Sequence, residues 1–275
     1  MFTLNCKGRL LVVDKPLVMG IINATPDSFF QGSRQQTVED ILRQAERMLK
    51  DGADILDIGG QSTRPSSSVV DAEEELKRVI GGIEAIHRHF PETFISVDTY
   101  YSLVAKEAVN AGASIVNDIT AGRMDKDMIA TVATLNVPYV LMHMQGTPQT
   151  MQQSPQYENV TLDVLDFFVA KIEELNKSGI NSIVIDPGFG FGKTIEHNFE
   201  LLRNLAAFKI VNHPVLLGIS RKSTIYRTLG VSAAEALNGT TVLNTIGVMN
   251  GAAIIRVHDV KEAEEIIKLV TALNE

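Results

Sequence analysis

What most constrains this chain is a rhythm of short runs rich in Val and Ile, separated by longer segments of helical period. The runs are Val18–Asn23, Ile55–Gly59, Phe94–Asp98, Ser114–Asp118, Tyr139–His143, Ser182–Asp186, Val215–Ile219 and Ala253–His258. They are short and lack a clean apolar/polar alternation, which suits parallel strands buried on both faces. In Val38–Lys50, the residues Ile41, Leu42, Ala45, Met48 and Leu49 fall on one helical face. Glu73–His89, Leu162–Lys177 and Val260–Leu273 behave alike, and Gly52, Gly112 and Gly179 follow helical segments where a left-handed cap favours glycine. Eight strand-then-helix units in 275 residues predict an α/β fold, a (β/α)8 TIM barrel. The reading is one domain, 1–275, with residues 1–16 forming a short N-terminal β-hairpin that caps one end. An open doubly wound sheet is the alternative, but no Gly-x-Gly-x-x-Gly follows the first run.

Composition narrows the class. With 45% hydrophobic and 21% charged residues, the chain has enough apolar material for a core and is not of the disordered type. A net charge of −8 argues against a nucleic-acid backbone or an anionic membrane as main partner. The lone cysteine, Cys6, excludes an internal disulfide or a thiolate metal cluster. The apolar run Leu10–Val13 is too short for the core of a signal peptide, and no stretch reaches the ~20 apolar residues of a membrane span. A cytoplasmic location is the expectation.

In a TIM barrel the site lies where the strands end. Those ends carry Asn23, Asp57, Asp98, Asn117, His143, Asp186, Ser220 with Lys222, and Arg256 with His258. Closing the barrel brings them to one mouth. Asp57 and Asp118 can equally well cap or brace the following helices, and His143 reads more readily as a satisfied buried histidine. Asp98 and Asp186 are harder to explain structurally, because carboxylates facing a common mouth repel unless something with donors binds them. Arg256 and His258, two residues apart on one face of the last strand, suit an anion. The run Asp186-Pro187-Gly188-Phe189-Gly190-Phe191-Gly192-Lys193-Thr194 invites a phosphate-loop reading. However, it is one residue short of that spacing and follows the sixth strand. It reads instead as a glycine loop that admits a flat ligand for Phe191 to stack on.

Several segments in order resemble the dihydropteroate synthase family of pterin-binding enzymes. These are Met19-Gly20-Ile21-Ile22-Asn23-Ala24-Thr25-Pro26-Asp27-Ser28-Phe29, Asp57-Ile58-Gly59-Gly60-Gln61-Ser62-Thr63-Arg64-Pro65, Ser96-Val97-Asp98-Thr99 and Val116-Asn117-Asp118. Met142-His143-Met144-Gln145-Gly146, the Asp186–Lys193 run, Ser220-Arg221-Lys222-Ser223 and Arg256-Val257-His258-Asp259 complete the series. Departures fall at Ala24, Gln31, Ser33, Ser66 and Ser67, and bear on loop behaviour rather than reaction type.

The resemblance implies a Mg²⁺-assisted condensation of a dihydropterin pyrophosphate with p-aminobenzoate, releasing pyrophosphate, in a sulfonamide-sensitive homodimer. It implies Asp98, Asp186 and Lys222 as catalytic residues. The pterin would be held by Asp98, Asn117, Ile119, Met144, Asp186, Phe191, Gly218, Lys222 and Arg256. Asn23, Arg64, Arg256 and His258 would take the pyrophosphate, with Asn23 on the metal. Phe29, Thr63, Pro65, Phe191, Lys222 and Ser223 would surround p-aminobenzoate. Rival readings are a pterin-dependent corrinoid methyltransferase, a Schiff-base aldolase using Lys222, and a barrel that only binds.

Overall fold

The computed structural model describes residues 1–24, 34–61, 69–151 and 153–274. The chain opens with an antiparallel hairpin, β1 (Phe2–Cys6) and β2 (Arg9–Val13), turned by Lys7 and Gly8 at positive φ. Strand β3 (Leu17–Asn23) then starts a regular alternation: α1 (Arg34–Lys50), β4 (Ile55–Gly59), α2 (Ala72–His89), β5 (Phe94–Asp98), α3 (Ser102–Ala111), β6 (Ile115–Asp118), α4 (Met128–Leu135) and β7 (Tyr139–Met142). It continues through α5 (Val160–Lys177), β8 (Ile183–Asp186), α6 (Ile195–Arg203), a 3-10 helix (Leu205–Val211), β9 (Leu216–Leu217), α7 (Ser223–Leu229), α8 (Leu237–Met249), β10 (Ile254–Val257) and α9 (Val260–Asn274).

Local chemistry marks the boundaries. Asp71 caps α2 by accepting from the Glu74 amide, and Asn159 caps α5 by accepting from the Leu162 amide. Thr194 and His197 form a reciprocal capping box at α6. Gly52, Gly112 and Gly179 all have positive φ after their helices, as the sequence predicts.

The eight-stranded sheet runs in the order β8-β7-β6-β5-β4-β3-β10-β9, with every neighbouring pair parallel. A further parallel bridge, Ile185 to Val215, joins β8 to the residue before β9 and brings the ends of the ring together. The run expected at Val215–Ile219 is cut to Leu216–Leu217, because the chain leaves the sheet at Gly218 and turns at Ser220 and Arg221. The run expected to reach His258 ends at Val257.

Side chains divide by parity, as a two-residue period requires. Val18, Ile22, Leu56, Ile58, Ile95, Val97, Val116, Leu141, Ile185, Leu217, Ile255 and Val257 face outward and share one core with the helices. Met19, Ile55, Ile115, Val140, Val184, Leu216 and Ile254 have the opposite parity and fill the barrel's lower interior. The hairpin's Leu4, Cys6, Leu11 and Val13 join that second cluster and plug the N-terminal end of the barrel. The open end is therefore the C-terminal one. Among the described residues, no helix is long and apolar enough to cross a membrane.

Candidate active site

Moving up each strand by two residues from the apolar floor reaches the mouth. Asp57 follows Ile55, Asn117 follows Ile115, Asp186 follows Val184, Gly218 follows Leu216, and Arg256 follows Ile254. The parity that buries the floor therefore aims an acid, an amide and a cation at one another. Asp118, of the opposite parity, turns outward instead. Fully buried, it accepts from the Thr120 amide and hydroxyl, the Gly122 amide and the Tyr139 hydroxyl, each at 2.7 Å. It braces the turn after β6.

Arg256 organises one side of the mouth. Its Nε donates to Asp57 Oδ2 at 2.6 Å and its Nη2 to Asp98 Oδ2 at 2.6 Å. Asn117 Nδ2 donates to the same Asp57 oxygen at 3.1 Å. Strand register supports this arrangement, with Asp98 beside Gly59 on one side and Asn117 on the other. Burial pushes the Asp98 carboxyl above the ordinary carboxylate range, while Arg256 pulls it back and Asp57 and Asp118 add repulsion. Arg256, held between two acids, is raised despite its burial.

The sequence reading gave Arg256 to ligand and diphosphate alone; in the structure it is also the internal counter-ion of Asp57 and Asp98. Nor does it share a strand face with His258. His258 lies past the strand, where its amide donates to Ser220 Oγ at 3.2 Å and its Nδ1 sits 3.0 Å from the same hydroxyl. With the proton of that hydroxyl turned to Nδ1, the neutral ring keeps its own proton on Nε2 as the outward donor. Desolvation and the Arg256 charge bring His258 down to about 4, so it offers a neutral donor at pH 7 rather than a second cation.

Further round the mouth, Asp186 accepts from the Gly188 amide at 2.7 Å, and burial raises its carboxyl against the pull of Lys222. Lys222 donates to the Phe189 carbonyl at 2.6 Å and lies 4.3 Å above the Phe191 ring. Burial lowers its ammonium to about 8. Gly218 leaves space between these groups. A Cβ there would stand 3.8 Å from both Asp186 Oδ2 and Lys222 Nζ. Ile119, Met144 and Phe191 form an apolar wall together with Tyr100, Met142 and Met151.

The glycine loop is propped from beneath. Gly188, at φ +74°, passes so close to the His143 carbonyl that a Cβ would fall 1.9 Å from it. Lys193 Nζ reaches His143 Nδ1 at 3.0 Å and the carbonyls of His143 and Phe191 at 3.3 and 3.1 Å. Burial brings Lys193 down to about 7 and, with Lys193 and Arg123 nearby, His143 down to about 2. His143 is thus a neutral acceptor built into the scaffold.

Asn23 stands exposed at the end of β3, beside Gly59. Ser223 begins α7 directly after Lys222. Phe29, Thr63, Arg64 and Pro65 lie outside the described residues. Sequence reasoning left Asp57 undecided, although its parity with Ile55 points it inward. It gave Lys193 no role beyond its place in the glycine run, and it had no signal for Tyr100 or Met151, which other elements bring to the mouth. Among the described residues, no group of three or more His, Cys, Asp or Glu is placed to hold a metal. A single amide oxygen such as that of Asn23 fits only an ion that brings most of its oxygen ligands with it, as Mg²⁺ does on a diphosphate.

A parallel barrel with a plugged floor and a mouth of converging acids, amide and cations defines a (β/α)8 enzyme acting on a small polar molecule. Residues 19–258 match the family model described as pterin binding enzyme, and the chain belongs to that family. It is 44% identical to the dihydropteroate synthase of Escherichia coli K12, over 97% of this chain and 94% of that one. The Yersinia pestis dihydropteroate synthase, solved with a sulfonamide drug, superimposes with a TM-score of 0.93 at 41% identity over 99% of both chains. The Xanthomonas albilineans enzyme in complex with 7,8-dihydropteroate gives 0.90 at 38% identity, again over 99% of both. Within the family the chain falls among the dihydropteroate synthases, transferases of folate synthesis.

Proposed function

We propose that this mouth holds a dihydropterin carrying a hydroxymethyl diphosphate and transfers its exocyclic carbon to the amine of p-aminobenzoate. The observation that carries the reading is that Asp98, Asn117, Asp186 and Lys222 all reach one mouth, with Gly218 leaving room between Asp186 and Lys222. A pterin has a guanidine-like edge of N–H donors, the natural partner of carboxylates. Asp186 takes that edge, with Asp98 and Asn117 beside it. Lys222 donates to the ring carbonyl and adjacent nitrogen. Ile119, Met144 and Phe191 cover one flank, and the Arg256 guanidinium lies against the ring.

In the reaction the C–O bond to the diphosphate breaks and a C–N bond forms, while the amine proton leaves with solvent or the departing diphosphate. The ring stabilises a developing cation, and the carboxylates of Asp98 and Asp186 oppose that charge. Arg64, Arg256 and the neutral donor of His258 meet the diphosphate. Asn23 would hold Mg²⁺ together with it, the ion supplying charge neutralisation of the leaving group. Phe29, Thr63, Pro65, Phe191, Lys222 and Ser223 surround the p-aminobenzoate.

The chain acts as one domain, 1–275, since the hairpin completes the barrel's own core. It works as a homodimer through α8, whose Val242, Ile246 and Met249 form an exposed apolar stripe at helical spacing. A cytoplasmic location suits its one cysteine, a buried free thiol. The deciding measurement is pyrophosphate release from dihydropterin pyrophosphate, with and without p-aminobenzoate and Mg²⁺. Release that ignores p-aminobenzoate would refute the reading.

A further inference from the structure

Asp57 lies below the groups assigned to the ligand, and none of the roles above requires it. It is fully buried in the middle of β4. Its Oδ2 binds two groups at once, Arg256 Nε at 2.6 Å and Asn117 Nδ2 at 3.1 Å. Its Oδ1 is buried without a hydrogen-bond partner among the described residues. A hydrophobic residue in this place would leave a simpler core, so the carboxylate calls for a functional account.

We infer that Asp57 is a positioning residue that sets the donor and acceptor pattern of the ligand slot by fixing the Asn117 amide. The argument rests on the pterin reading above and deepens it. A carboxylate paired with a guanidinium accepts hydrogen bonds and donates none. Only the NH₂ end of Asn117 can therefore face it, whichever way the amide would otherwise turn. The Asn117 oxygen is then turned away from Asp57 and left as an acceptor. Together with the carboxylates of Asp98 and Asp186, that oxygen makes a side of the slot that only accepts. The ligand edge it fits is one of N–H donors, and an oxo group in place of the ring amino group meets repulsion. The same carboxylate also fixes the Arg256 guanidinium plane through Nε, leaving Nη2 for Asp98. Asp57 touches no ligand itself, and acts through these two partners.

The test replaces Asp57 by leucine, which has a similar branched shape and no acceptor. In Asp57→Asn the amide oxygen could keep the place that Arg256 Nε and Asn117 Nδ2 share, whereas in Asp57→Leu nothing accepts from the Asn117 NH₂, which frees that amide to turn its NH₂ to the ligand. Calorimetric affinities are measured for pterin and for lumazine, its counterpart with an oxo group in place of the amino group. The intact enzyme is expected to prefer pterin by well over about tenfold, because unmatched buried polar groups are heavily penalised. In Asp57→Leu that ratio falls by about tenfold, as one of the repulsive contacts is relieved while Asp186 keeps the other. The KM for the pterin substrate rises and that for p-aminobenzoate stays within about twofold, a split that general loosening of the barrel would not produce.

A folded Asp57→Leu enzyme with the original pterin-to-lumazine ratio overturns the inference. If Asp57→Leu, in which Arg256 keeps only Asp98, does not fold, the ratio is compared between Arg256→Gln and the Asp57→Leu/Arg256→Gln chain, which removes both charges. Equal ratios there overturn it too. An intact enzyme that binds neither molecule refutes the pterin reading itself, so the two failures are distinct.

Discussion

Gly218→Ala separates the ligand slot from the fold more cleanly than any charge deletion. Gly218 is not among the glycines with positive φ, so alanine can adopt its backbone without strain. The new methyl would contact Asp186 Oδ2, Leu216 Cδ2 and Lys222 Nζ, each at 3.8 Å, which is ordinary van der Waals distance. Nothing in the ligand-free protein has to move. Lower entropy of the unfolded chain stabilises such a change by roughly 0.4–1 kcal/mol. The thermal midpoint should hold or rise by a degree or two.

The methyl nevertheless projects between a carboxylate and an ammonium assigned to opposite sides of one flat ring. Forcing an extra carbon into a filled site costs about 1–3 kcal/mol, or roughly 5- to 150-fold in affinity. Calorimetric titration with pterin, steady-state KM for both substrates and a thermal melt together decide the matter. The expected result is weaker pterin binding and a raised pterin KM on an intact fold. Unchanged pterin affinity in a folded Gly218→Ala enzyme would refute the placement of the ring between Asp186 and Lys222.

Asp98→Asn should keep the fold, because Arg256 retains Asp57, yet lose most turnover by removing the charge opposite the developing cation; stopped-time pyrophosphate assays check this. Lys222 offers a pH test. With its ammonium lowered to about 8, pterin affinity should fall as pH rises through that value, and Lys222→Arg should bind more weakly without the dependence. The linkage to stability has the opposite sense. Between about 8 and the ordinary 10.5, the unfolded chain holds a proton the folded one lacks, so the contribution of this lysine to stability rises with pH across that window. Ile246→Glu, on the exposed face of α8, should give monomers by sedimentation while the barrel stays folded; a dimer unchanged by it would place the interface elsewhere.

Much of this was legible before any coordinates. The order of elements follows from the period, since runs of Val and Ile cannot rest as exposed helices, and amphipathic segments must lay one face on a sheet. The strand ends are equally readable, as Ile55–Gly59 and Phe94–Asp98 coincide with the observed strands. Parity distinguishes Asn117 from its neighbour Asp118, and it could have pointed to Asp57 as well. The sequence reading failed where a turn competes with a strand, as at Val215–Ile219, and where a side chain's state depends on neighbours far along the chain. His258 is an example. As a residue type it suggests a cation near a diphosphate, but Arg256 and desolvation make it a neutral donor.

The amino-acid sequence by itself determined a parallel barrel of eight strands, the polar residues at its strand ends, and a resemblance to a family, because periodicity and ordered motifs are local properties of a chain. Only the tertiary structure decided which of the mouth's charges neutralise one another. Asp57 and Arg256 are separated by 199 positions and Asp98 and Arg256 by 158, yet both pairs close to 2.6 Å. Such partnerships depend on strand register and ring closure. A carboxylate's protonation and an amide's orientation are set by whatever lies within a few ångströms, and no local pattern encodes that.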